Sequence, residues 1–278
     1  MARGGVSVSQ LCRRAGMSRQ NFYQARRQRQ RQEVAEDRVL ELVQEQRRLH
    51  PRMGTRKLLF QLQAPMRRLG ISLGRDRLFD LLRRHELLVP PLPKRPQTTF
   101  SRHTLPVFTN QIKGLEVTRP NQVWVSDITY LRTAEGYLYC ALTTDLMSRK
   151  IIGYDVADGL EATGAIRATQ MALTQLAPGV SVIHHSDRGC QYCCHPMVQL
   201  LQDRGVQISM TEVNHCAENS LAERINGILK QEYGLGQELP SKAIARRMVR
   251  EAIQLYNDLR PHRALNLRCP SHVHALVA

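Results

Sequence analysis

The chain has no apolar run approaching the roughly 18 residues a membrane-spanning helix needs, so no such span is expected in its 278 residues. Its opening stretch, MARGGVSVSQLCRRAG, lacks the apolar segment of a secretory signal. A disulfide framework is missing too: the cysteines number seven, and Cys193 and Cys194 are adjacent. Free thiols suit a reducing compartment, so a cytoplasmic protein with no membrane partner is expected.

Acidic residues are scarce in one part only. Residues 1–107 hold 8 Asp+Glu against 23 Lys+Arg, a net +15, while residues 108–278 hold 16 against 17, a net +1. Most of the excess is arginine, whose planar guanidinium pairs with phosphate in bidentate geometry. A field of one sign over about 100 residues points to a polyanionic partner, most plausibly nucleic acid.

Three regions separate. Residues 1–88 read as an all-α, helix-turn-helix-type DNA-binding region. In VSQLCRRAGMSRQNFYQARRQRQR, a helix containing Leu11 and Cys12 stops at Gly16, and Ser18 caps an arginine-rich second helix with Arg19 and Arg26. A further helix is predicted over about Glu33 to Leu49. GTRKLLFQLQ, with Arg56 and Lys57, and SLGRDRLFDLLRRHELL then repeat the theme around Gly70. An ordinary helical hairpin explains each pattern singly; two in succession with this charge favour DNA contact. Residues 89–119 form a linker whose first part carries Pro90, Pro91, Pro93, Pro96 and Pro106. Residues 120–278 read as α/β. Strands are predicted in NQVWVSDITYLRTA, EGYLYCALTTDLMSR, KIIGYDVADG, 180–186 and VQISMT, with helices between and after, including SLAERINGILKQEY capped by Ser220. That order describes a mixed five-stranded sheet with flanking helices.

Three carboxylates stand out. Asp127 lies inside the apolar strand VWVSDITY, where aspartate is disfavoured and costly unless something binds it. Asp187 stands at the exit of VSVIHHSDRG, where a turn-former is the plain explanation. Glu223 lies in ENSLAERINGILKQEY, where a solvated helix glutamate is the plain explanation. Between Asp127 and Asp187 lie 59 residues, and between Asp187 and Glu223 lie 35.

That constellation resembles the Asp-Asp-35-Glu signature of retroviral-integrase-like transposases, and more narrowly the second-reading-frame (OrfB-type) transposases of bacterial insertion sequences. WVSDITY, TTDLMSRKIIGY, HHSDRGCQY, ENSLAERINGILKQEY and YNDLRPHRALN match blocks of that family in order and spacing, over nearly the whole chain. The resemblance implies a ribonuclease H-like catalytic domain over 120–278. It also implies a bacterial, nucleoid-associated enzyme that cleaves insertion-sequence ends and transfers the strand to target DNA. Asp127, Asp187 and Glu223 would hold two Mg²⁺ ions, with Mn²⁺ able to substitute, Asp127 bridging them. Magnesium is a hard cation that takes oxygen ligands, and two such ions can clamp the attacking and leaving oxygens of a phosphodiester displacement.

By the same resemblance, Lys230, two helical turns after Glu223, approaches the DNA backbone. Asn219 either contacts DNA or sits in the helix cap, and Gln191 and Tyr192 border the pocket. A homo-multimer is implied, because two DNA ends must meet, and the upstream-frame product, or a frameshift fusion with it, is a possible partner. The chain departs from the family pattern at Glu218, usually Asp, and Cys190, commonly Ser; neither change touches the triad. His184, His185, Cys190, Cys193, Cys194 and His195 crowd together, yet they lack the paired, loop-separated clusters of a zinc site, so packing is expected for the cysteines. The integrase zinc domain is absent, since residues 1–107 have one cysteine, Cys12. Two rival readings remain: a nuclease of the same fold that cuts without joining, and a non-catalytic DNA-binding relic or regulator.

Overall fold

Between Ser18 and His50 the chain has neither glycine nor proline, and good helix formers predominate. In the computed structural model, which describes residues 7–90, 104–212 and 219–276, this stretch is one helix, α2 (Arg19–Leu49). Two helices are predicted there from the sequence. Nothing between them interrupts the backbone hydrogen bonds, so they are continuous until Pro51. α1 (Val8–Arg14) precedes it, with Ser7 and Gln10 forming a capping box. Gly16, at φ +64°, makes the turn, and Ser18 Oγ accepts from the Asn21 N–H at 3.1 Å. α3 (Thr55–Arg68) and α4 (Arg75–Arg84) follow, joined through Gly70 at φ +68°.

The described residues divide into two compact units, one of residues up to 49 with 54–89, the other of 50–53 with those from 90 onward. The first is the helical unit, whose core includes Val39, Val43, Leu58, Leu62, Leu78, Leu81 and Leu82.

The second unit is built on a sheet. Its elements in chain order are β1 (Val123–Thr133), β2 (Gly136–Asp145), β3 (Ile151–Ala157), α5 (Ala162–Leu173), β4 (Ile183–Ser186), α6 (Cys190–Cys193), α7 (His195–Asp203), β5 (Gln207–Met210), α8 (Ser220–Glu232), α9 (Lys242–Asp258) and α10 (Pro270–Ala275). The strand order is β3-β2-β1-β4-β5. β1, β2 and β3 pair antiparallel as a meander, while β4 and β5 join parallel beside β1. This is the expected mixed five-stranded sheet with helices on its faces, preceded by an all-α region. β1 is central, which explains its apolar run Val123, Trp124, Val125.

Each face has its own core. Leu131, Leu138, Cys140, Leu142 and Ile151 pack with Ile225, Ile228 and Leu229 of α8 and Val249, Ile253 and Tyr256 of α9. Trp124, Ala141 and Ile152 pack with α5 and α7. α5 comes so close to β3 that a Cβ at Gly153 would stand 2.0 Å from the Ala168 carbonyl oxygen, so only glycine fits there. β4 begins later than the predicted residue 180, because its ladder with β1 starts at Ile183 opposite Val123.

The last part of the expected linker lies along this unit. Leu105 and Phe108 pack against the second core. The Gln111 backbone N–H donates to Ser209 Oγ at 2.8 Å and its side chain to the Ile208 carbonyl at 3.1 Å, dressing the edge strand β5. Pro91, Pro93 and Pro96 lie outside the described residues.

Candidate active site

The alternation of β1 decides where Asp127 points. Asp127 pairs with Leu142 of β2 and shares the face of Leu131, so it lies under α8. There Asn226, one turn along α8 from Glu223, donates from Nδ2 to Asp127 Oδ2 at 2.8 Å. The Ile128 N–H donates to Oδ1 at 2.8 Å. Both oxygens of the half-buried carboxylate are therefore fixed in direction.

Asp187 directly follows β4, the parallel neighbour of β1. Its Oδ1 accepts from the Gly189 N–H at 3.0 Å, an Asx turn of the kind that explains an aspartate here. A Cβ at Gly189 would stand 2.9 Å from that same Oδ1 and 3.0 Å from Gln191 Oε1, so a side chain there would push on the carboxylate. Glu223 is exposed in the first turn of α8, where a carboxylate also suits the helix dipole.

The three carboxyls interact. Burial raises the Asp127 pKa from 3.8 to about 7, and the charges of Asp187 and then Glu223 push in the same direction. The bonds from Asn226 and Ile128 oppose that rise without cancelling it. Among the described residues, no three His, Cys, Asp or Glu side chains stand close enough together to hold a metal ion as they are. The carboxylates thus feel one another across a gap rather than enclosing a finished cage.

Beneath them the strands are stitched by a buried polar row. His184 Nε2 lies 2.9 Å from Ser126 Oγ, which donates to Thr143 Oγ1 at 3.1 Å, joining β4, β1 and β2. Burial lowers the His184 pKa to about 4, with His185 adding to it, so this imidazole is neutral near pH 7. Tyr192 is buried, its hydroxyl has no hydrogen-bond partner among the described residues, and burial and the two aspartates hold its pKa well above the usual range. Gln191 Nε2 donates to the Leu160 carbonyl at 2.9 Å, while its Oε1 lies over Gly189 on the side of Asp187 Oδ1.

Several expectations need revision. Ser220 is the first residue of α8, and the cap position belongs to Asn219, whose side chain makes no capping bond. Asn219 is 4% exposed and donates to the Ser126 carbonyl at 3.0 Å, tying the start of α8 to β1. Lys57, expected beside Arg56 as a DNA contact, is buried, 9% exposed, on the inner face of α3. Arg19, Arg26 and Arg56 are exposed. Lys230 is half-buried, and its charge reaches the Cys140 thiol on β2. Cys193 is packed as expected, but Cys190 is exposed, because it opens α6 on the outer side of the turn. Glu218 lies outside the described residues.

Asn226 was not anticipated from the sequence. The available signal was its place three residues after Glu223, on the same helix face.

The integrase core domain model matches residues 117–216, and a second integrase core domain model matches 204–270. A 31 kDa uncharacterized protein of insertion element IS600 from Shigella sonnei is 34% identical over 94% of this chain and 96% of its own length. The transposase InsF of insertion sequence IS3A from Escherichia coli (strain K12) is 37% identical over 65% of this chain and 64% of its own length. The chain belongs to the insertion-sequence transposases with an integrase core. These transposases are polynucleotidyl transferases. The HTLV-2 integrase catalytic core domain, solved in complex with magnesium, has a TM-score of 0.45 and 17% identity, covering 56% of this chain and 97% of that one. A simian T-cell lymphotropic virus intasome chain has a TM-score of 0.49 and 16% identity over 80% and 70%. These two are likenesses of fold alone.

Proposed function

We propose that this transposase cleaves the ends of its insertion sequence and joins the freed 3′-hydroxyl to target DNA, using divalent cations held by Asp127, Asp187 and Glu223. The observation that carries the reading is the convergence of Asp127 on β1, Asp187 at the end of β4 and Glu223 on α8, near enough for the other two charges to help burial raise the Asp127 pKa. Such a cluster repels itself until a cation neutralises it. The donors are all carboxylate oxygens, the set that suits Mg²⁺ or Mn²⁺. When bound, two such ions supply Lewis acidity and charge neutralisation at the attacking and leaving oxygens of the phosphodiester.

The chain's own residues do the rest. Asn226 and the Ile128 N–H aim the Asp127 oxygens, and the Gly189 N–H aims Asp187. Asn219 holds the first turn of α8 against β1 and so fixes the height of Glu223 above the sheet. No side chain need form a covalent intermediate, since the 3′-hydroxyl is itself the nucleophile in joining.

In the same reading the helical region to residue 88 engages DNA through exposed arginines, Arg19, Arg26 and Arg56 among them, with Lys230 near the carboxylates. Residues 89–119 connect it to the catalytic domain, and the enzyme works in the cytoplasm on nucleoid DNA. Two DNA ends call for a homo-multimer, and the upstream-frame product or a fusion with it is the partner that would supply recognition of the ends.

A labelled oligonucleotide with a recessed 3′-hydroxyl, incubated with target duplex and Mg²⁺ or Mn²⁺, tests this. Metal-dependent joining that is lost in Asp187→Asn is the expected result. Cutting without joining would favour the nuclease. No reaction even with the upstream frame supplied, together with unaltered DNA binding, would leave a relic.

A further inference from the structure

The turn after β4 carries a second kind of chemistry. Cys190 and Cys193 are the first and last residues of α6. The turn between them is helical, because the N–H groups of Tyr192 and Cys193 donate to the Gly189 carbonyl at 2.9 and 3.2 Å. Residues three apart in a helical turn have Cα atoms about 5 Å apart, inside the range a disulfide spans. The two thiols differ in access: Cys190 is exposed, and Cys193 is fully buried with Sγ 3.6 Å from Met210 Sδ. α6 also opens the crossover between the parallel strands β4 and β5. A Cys-x-x-Cys at the head of such a crossover, outer thiol accessible and inner thiol sheltered, is the arrangement of a redox pair. Cys194 is a poorer partner, since its Sγ is directed to the Gln191 carbonyl at 3.4 Å beyond the end of α6.

We propose that Cys190 and Cys193 are a redox-active dithiol which a hydroperoxide closes to an intramolecular disulfide, and that closure disturbs the seat of Asp187. The thiolate of Cys190 attacks the peroxide, the O–O bond breaks, and Cys190 becomes a sulfenic acid with release of water (or an alcohol). The thiol of Cys193 then displaces the sulfenic oxygen as a second water, forming the S–S bond. Two electrons pass from sulfur to the peroxide, and a dithiol reverses the step by exchange. The link to the site is short. Cys193 N–H is bonded to the Gly189 carbonyl, and Gly189 N–H holds Asp187 Oδ1, so tightening this turn moves the group that aims the carboxylate.

The test uses the full chain, reduced, beside Cys190→Ser, Cys193→Ser and Cys194→Ser. Each is exposed to hydrogen peroxide, alkylated with iodoacetamide and measured by intact mass and fragmentation. Wild type and Cys194→Ser should each lose two alkylatable thiols and the mass of two hydrogens, recovered with dithiothreitol. Cys190→Ser and Cys193→Ser should not. An oxygen adduct that remains on Cys190, a disulfide between chains, or a bridge that needs Cys194 would overturn the pairing. In the joining assay, oxidation should lower wild-type activity about tenfold, the scale of losing a ligand's support, and leave Cys190→Ser unchanged. Equal loss in both would overturn the link to Asp187. The thiol chemistry stands apart from the proposed function; reduced protein that fails to join would count against that reading instead.

Discussion

In the helical unit most charged groups other than Lys57 stand in water. Arg19, Arg26 and Arg56 are exposed, and ion pairs such as Arg38–Glu41 and Arg83–Asp80 join side chains more than 60% exposed. In the sheet unit the charge that matters is confined to three carboxyls, and one of them is distorted enough to titrate near 7. Exposed charges in high dielectric act as a summed field, in which no member is indispensable. Charges gathered at one site act through position, so each counts. The same amino-acid classes therefore serve two designs, and substitutions should separate them by the size of the effect.

The largest effect belongs to Asp127→Asn. Joining should fall by about three orders of magnitude or more, since a group acting as part of a unit is removed. The same variant should be less sensitive to alkaline pH in metal-free solution. The folded-state pKa of Asp127 lies above its ordinary value, so the contribution is full below pH 3.8 and is lost as pH rises through about 7. The amide introduced by the substitution has no such proton to lose, and the Asn226 side chain can turn to meet it. Thermal melting in EDTA at pH 5 and pH 8 should show a smaller drop for the variant than for wild type; an equal drop would remove the electrostatic account of the cluster.

Gly189→Ala comes next. Its new Cβ would press on Asp187 Oδ1 from 2.9 Å, where nothing can yield except the carboxylate itself or Gln191. Joining should fall about ten- to a hundredfold, as for other groups that support a ligand, with the fold retained by circular dichroism. Asn226→Ala should cost about tenfold on the same argument. It also removes a bond that lowers the Asp127 pKa, so the acid limb of the pH–rate profile should move to higher pH. A rate loss with an unmoved limb would make Asn226 a packing residue only.

How much of this was legible beforehand follows the same division. The three carboxylates were singled out by the family resemblance that their spacing carries, whereas the sheet and its central strand could be read because strand periodicity is a property of the chain itself. Asn226, Gly189 and the His184–Ser126–Thr143 row could not, because what they do depends on which strand lies beside which. β1 meets β4 only after a crossover of some 50 residues in sequence. In the helical unit the error ran the other way. Arginine content shows in composition, but which basic side chains face outward does not, and Lys57 proved to be on the buried face of α3. The single long α2 was also missed, since two good helical segments with no breaker between them look the same as one.

The smallest effect is predicted where the field is the agent. Arg26 is exposed and makes no ion pair among the described residues. If it meets a phosphate, Arg26→Ala should weaken DNA binding only a few-fold at moderate salt and lower the slope of log K against log salt by about 1, alike for all sequences. At saturating DNA the joining rate should equal that of wild type, because no atom near the carboxylates has changed. Binding isotherms from about 50 to 200 mM salt, paired with single-turnover joining, separate the two quantities. A lower rate at saturation would mean that Arg26 takes part in positioning, and the contrast between a field and a site would fail at that residue. A slope unchanged from wild type would mean it touches no phosphate at all.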